Sequence, residues 1–108
     1  MANLEKTQEQ NGYQATPEQI AQWKSKHGDV FKISVDGRNA YLKKPDRNTL
    51  SMASAVGTKD PMQFNEIILK NCWLEGDVEI QTNDELFLAA SSILEQLIVI
   101  KEATLEKL

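Results

Sequence analysis

The chain has 108 residues, a net charge of −4 and a pI near 5.0. That length fits one domain able to bury a sizeable core, and the acidic balance argues against nucleic acid or an anionic membrane as the main partner. A single cysteine, Cys72, excludes an internal disulfide and fits a reducing compartment, and no apolar run approaches a membrane span.

Residues 1–15 are polar, lack the apolar core of a signal peptide, and read as a disordered N-terminal tail. Residues 16–108 read as a single α+β domain. Thr16-Pro17-Glu18-Gln19 is a helix start, with a Thr cap, Pro at the first position and Gln at the third, and Gly28 closes the short helix. Its narrow apolar face carries Ile20 and Trp23, and Trp23 is expected to dock on the hairpin that follows. Asp36-Gly37 between alternating apolar runs predicts a two-residue β-hairpin over about 30–43. In that register Val35 faces Arg38, Ile33 faces Ala40 and Phe31 faces Leu42, all on the core side. Lys32–Tyr41 and Ser34–Asn39 fall on a second, polar face expected to meet water. Two strands alone are marginal, and their open edges invite strand addition between copies.

Three helices are predicted to follow, at about 46–56, 61–74 and 83–106. Asp46 caps the first and Gly57 closes it; Asp60 and Pro61 open the second and Gly76 terminates it. Phe64, Ile67, Ile68 and Cys72 recur at helical spacing, and Met62, Leu69 and Trp73 widen that stripe. Thr82 and Glu85 form a capping box for the third. Its stripe runs through Leu86, Phe87, Ala90, Ile93, Leu94, Leu97, Ile98 and Ile100. A helix reaching residue 106 would be roughly 35 Å long, more than a domain of this size spans. Its far end is therefore expected to pack on another chain.

Motifs for catalysis are sparse. His27 is the one histidine and sits at a helix end, where a cation suits the dipole. Cys72 reads as a core residue, because a nucleophile needs a base beside it. The acids around 75–85 do not follow calcium-loop spacing, and the five glycines are isolated rather than gathered in a phosphate loop. No catalytic, cofactor or metal residues are assigned. Charge is nonetheless uneven: residues 23–47 carry seven basic against three acidic side chains, and residues 60–108 carry ten acids against three lysines.

The run VDGRNAYLKKPDRNTLSMA, followed by DPMQFNEIILKNCWLEGDVEI and DELFLAASSILEQLIVIKEA, resembles small phage and prophage proteins of gut bacteria described as tail assembly chaperones. The resemblance covers about residues 29–105 and leaves the first 28 residues outside it. It implies a non-enzymatic, cytoplasmic assembly factor of the infected host cell. Such a protein covers the apolar faces of a long helical tape-measure protein until tail-tube subunits displace it. The partner-binding residues expected on that reading are Trp73, Leu97, Val99, Ile100 and Leu105, in a chain that self-associates as a homo-oligomer. Two other readings stay open: a self-assembling virion component, suggested by the strand edges, and a small nucleic-acid-binding regulator using the basic hairpin.

Overall fold

The computed structural model describes residues 12–98 and 101–108. Its elements in chain order are α1 (Pro17–His27), β1 (Val30–Val35), β2 (Arg38–Lys43), α2 (Arg47–Gly57), α3 (Pro61–Cys72), β3 (Trp73–Gly76), the single turn α4 (Glu79–Thr82) and α5 (Asp84–Ser91). A 3-10 turn follows at Leu94–Leu97. The three strands form one antiparallel sheet in the order β1-β2-β3, so the fold is α+β.

The hairpin pairs as its sequence demands, Phe31 with Leu42, Ile33 with Ala40 and Val35 with Arg38. Asp36 and Gly37 adopt φ of 51° and 79°, the left-handed pair that a tight hairpin needs to match strand twist. Ile33, Ala40 and Leu42 project from the front of the sheet into a cluster with Ala53, Ile68, Leu69, Cys72, Ile80, Ala90, Leu94 and Leu97. All the helices after the hairpin thus contribute to one core on that face.

The back of the sheet departs from expectation. Tyr41 and Asn39 are 4% and 6% exposed rather than wet. α1 crosses over them, with the Trp23 ring 5.6 Å from the Tyr41 ring, which is the docking expected for Trp23. Residues 12–15, assigned from sequence to a disordered tail, lie beside it as a strap. The Asn39 side-chain amide donates to the Tyr13 carbonyl at 2.9 Å. The Ala15 amide donates to the Tyr41 hydroxyl at 3.3 Å, and the Tyr13 and Tyr41 rings meet edge to face at 6.0 Å. Tyrosine explains the coverage, because its ring favours burial while its hydroxyl demands a partner. The remainder of the tail, residues 1–11, lies outside the described residues.

α3 ends two residues before the sequence-predicted limit, and the change makes a strand. Trp73 turns to ψ 123°, and residues 73–76 pair with β2, Ala40 with Gly76 and Leu42 with Trp73. Leu74 is the extra residue of a bulge opposite Tyr41 and Leu42, a device that bends a short edge strand. The hairpin has one edge that must be satisfied inside the molecule, and this segment supplies the partner. Gly76 is required there for closeness, not for ending a helix: a Cβ would lie 2.6 Å from both Ala40 Cα and the Asn39 carbonyl oxygen.

The predicted helix over 83–106 is the largest correction. Asn83, not Thr82, caps α5, its side chain accepting from the Leu86 amide at 3.1 Å, while Thr82 closes α4. α5 then stops at Ser91. Ser92 turns its hydroxyl back onto the Ala89 carbonyl at 2.7 Å, a local bond that competes with helix continuation. The β-branched Ile93 follows at φ −117°, ψ 0°. The 3-10 turn has three residues per turn, so Leu94 and Leu97 point the same way, and both are buried in the core. The chain leaves this turn extended at Ile98, and residues 101–108 carry no helix or strand.

Asp77 fastens three segments together. Its carboxylate accepts the Tyr13 amide at 2.7 Å and the Asn39 amide at 2.8 Å, while its own amide donates to the Asn39 carbonyl at 2.8 Å. Asp77→Ala leaves two amides without an acceptor and should cost about 1–3 kcal/mol, read as a lowered denaturation midpoint in urea. Gly76→Ala forces β2 and β3 apart and should cost a similar amount, about 1–3 kcal/mol as for an overpacked core. In both variants near-wild-type stability would show that the β2–β3 junction is not formed in solution.

Candidate interaction site

The residues singled out from sequence for partner binding are not gathered on one surface. Trp73 is half-buried, opens β3 opposite Leu42 and packs against the core. Leu97 is 4% exposed and is held by the core through the 3-10 turn. Val99 and Ile100 lie outside the described residues. Leu105 is fully exposed in the C-terminal segment, as is Leu108. Of the described set, Leu105 is fully exposed, Trp73 is partly exposed and Leu97 is buried.

A surface that the sequence did not mark lies between α3 and α5. An open groove of about 460 Å³ is lined by Gly57, Pro61, Phe64, Asn65, Ser91 and Ser92, with Glu95 at one end. Phe64 is half-buried and packs on the core from below. Gly57 lets the α2–α3 corner close over it, since a Cβ at that position would lie 2.9 Å from Phe64 Cβ. The same two helices each expose one large apolar side chain outside the groove lining: Met62 on the first turn of α3 is 44% exposed, and Leu88 on α5 is 52% exposed. Leu88 shares the face of Ser91 and Ser92 by helical spacing. The Ser91 hydroxyl is enclosed and has no hydrogen-bond partner among the described residues. From sequence, Met62 reads as part of the buried stripe. The available clue was the width of that stripe, since one helix packed on a small core cannot bury more than half its girth.

Ionisable groups are engaged in structural roles. Arg38 and Glu79 form a two-point pair, Nε to Oε1 at 2.9 Å and Nη2 to Oε2 at 3.2 Å, tying the start of β2 to α4. The pair holds the Glu79 carboxyl below its ordinary value and raises Arg38. Asp46 is lowered by the Thr49 amide it caps. The Cys72 thiol is wholly buried, and loss of hydration pushes its pKa up to about 11, so it stays protonated and is a poor nucleophile. His27 is lowered by partial burial and then by Lys43 and Lys26. Among the described residues no three His, Cys, Asp or Glu side chains converge on a metal-sized site, and no described helix is long and apolar enough to cross a membrane. The other concavities lined by described residues, on α3, along β1 and beside Arg38 and Glu79, are open to solvent.

Glu79 and Asp46 have folded-state pKa values below their ordinary 4.5 and 3.8. Their contributions are present above those values and are lost as pH falls through the folded ones. His27 acts in the same direction, since a lowered pKa resists protonation below 6.5. The melting temperature should therefore fall continuously from pH 7 to pH 3, and the steepest part, below pH 4.5, should flatten in Glu79→Gln. An unchanged acid profile in that variant would mean the Arg38 pair is not populated.

No protein-family model, curated protein or solved structure matches this chain.

Proposed function

We propose that this protein is a non-enzymatic assembly chaperone that binds and shields an amphipathic helical partner, of the kind a phage tape-measure protein presents. The observation that carries the reading is the α3–α5 groove, lined by Phe64, on two helices that also expose Met62 and Leu88. A groove between two helices receives the apolar face of a third, whose anchors recur at i, i+3 and i+7. Large apolar side chains left exposed together are a common mark of protein interaction. The sequence resemblance supplies the biological setting, assembly of a phage tail in a bacterial host, and the acidic surface of α4 and α5 suits a partner with basic residues flanking its apolar stripe.

Co-expression with the tape-measure protein of the same phage should yield a soluble complex that survives size-exclusion chromatography. Met62→Glu with Leu88→Glu changes only exposed side chains, and should leave the circular dichroism spectrum unaltered while abolishing the complex. Independent elution of the two wild-type proteins, or a complex indifferent to the double substitution, would overturn the assignment. A second reading, a self-assembling component of the virion, draws on the open β1 edge. It requires the protein at high copy in purified particles, where a chaperone is absent.

A further inference from the structure

We propose that residues 101–108 of one copy dock as an added strand along the outer edge of β1 in a second copy. This association is separate from the partner groove and stands or falls without it.

Among the described residues no strand pairs with the outer edge of β1. The Asp77 amide donates to the Asn39 carbonyl from the β3 side, so the Asn39 backbone points away from β1. Antiparallel pairing alternates, and opposite residues share orientation. Ser34, the partner of Asn39, therefore turns its N–H and C=O away from β2, as do Lys32 and Val30. No backbone partner meets these groups among the described residues. Of the usual protections of an edge, VFKISV carries one, the central Lys32. It has no proline and no bulge. Proteins that leave an edge this regular commonly pair it.

The C-terminal segment has the matching properties. Residues 101–108 adopt no helix or strand, and Leu105 and Leu108 are fully exposed, so neither leucine is covered by its own chain. At about 3.3 Å per residue the eight residues extend roughly 26 Å, enough to run the length of a six-residue strand. In a strand, period two puts Ala103 and Leu105, flanked by Lys101 and Lys107, on one side and Glu102, Thr104, Glu106 and Leu108 on the other. The two sides of β1 differ in the same sense. On the front, Phe31 and Val35 are only partly buried against the core, and Ala103 with Leu105 would extend that apolar layer. On the back, a groove of about 360 Å³ follows the edge, with Ile20, Val30 and Tyr41 in its wall and Lys24 and Lys32 beside them. Glu102 and Glu106 would face those two lysines. Over the central residues 102–106, charge and polarity favour turning Ala103 and Leu105 toward the front. Reciprocal exchange between two copies closes a dimer, and one-way exchange propagates to a ring or filament.

Sedimentation equilibrium of three proteins tests this: the full chain, a chain lacking residues 101–108, and full-length Lys32→Pro. The proline removes an outward-facing amide and keeps the β1–β2 ladder. The full chain should associate, and each variant alone should weaken association at least about tenfold. Mixed together, the two variants should recover a one-to-one complex, because one keeps the edge and the other keeps the arm. Removing residues 101–108 takes away only exposed residues, so a folding failure in Lys32→Pro would leave that comparison intact. A monomeric full chain, or association unaffected by the truncation, would overturn the proposal. So would an arm protected from proteolysis in a monomer, since it would then be folded onto its own β1.

Discussion

The structure depends on satisfying a central strand on four sides. β2 is the one strand with neighbours on both edges, and Asn39, Ala40, Tyr41 and Leu42 are all buried. Its front side chains are apolar and meet the helices. Its back side chains are polar or amphipathic, and each needs a partner once water is excluded. Asn39 finds Ser34 and Tyr13, and Tyr41 finds the Ala15 amide and the Trp23 ring. The strap of residues 12–15, the bulged strand β3 and the Asp77 junction are the consequences of burying that one strand.

The proposed binding surfaces lie at the periphery because the centre is committed. The core holds Leu94 and Leu97 through a 3-10 turn, and that turn ends the helical part of the chain and releases the C-terminal segment. The corner of α2 and α3 closes over Phe64 and leaves Met62 and Leu88 outside. The outer edge of β1 has no strand to pair with among the described residues. The groove and the edge are carried by helices and strands packed on the core, so the proposed partners would meet them without disturbing the interior. The uneven charge of the sequence is partly internal, since Arg38–Glu79 joins the basic hairpin to α4, while Lys44–Asp29 ties the two ends of the hairpin together. These pairs are exposed and contribute little to stability on their own.

Local rules in the sequence located what depends on nearest neighbours. Asp36-Gly37 and the alternation around it gave the hairpin register residue by residue, and Thr16, Asp46 and Asp60 cap the helices they precede. What escaped depends on distant residues. Trp73 to Gly76 continues a helical pattern, and it becomes a strand because β2 offers an unpaired edge far away in sequence. Tyr41 looked wet because nothing in the alternation reveals the strap that covers it. The last helix looked continuous because Leu94 and Leu97 suit an α-helical stripe and a 3-10 turn equally well. The Ser91-Ser92-Ile93 run was the signal, since all three are weak helix formers.

Hydrogen–deuterium exchange of the intact protein tests most directly whether β2 is the organising strand. The amides of Asn39, Ala40, Tyr41 and Leu42 should be among the slowest in the molecule, and protection should cease after the 3-10 turn rather than continue in an unbroken helix. Rapid exchange in β2, with continuous helical protection from Asp84 through Glu106, would contradict the account.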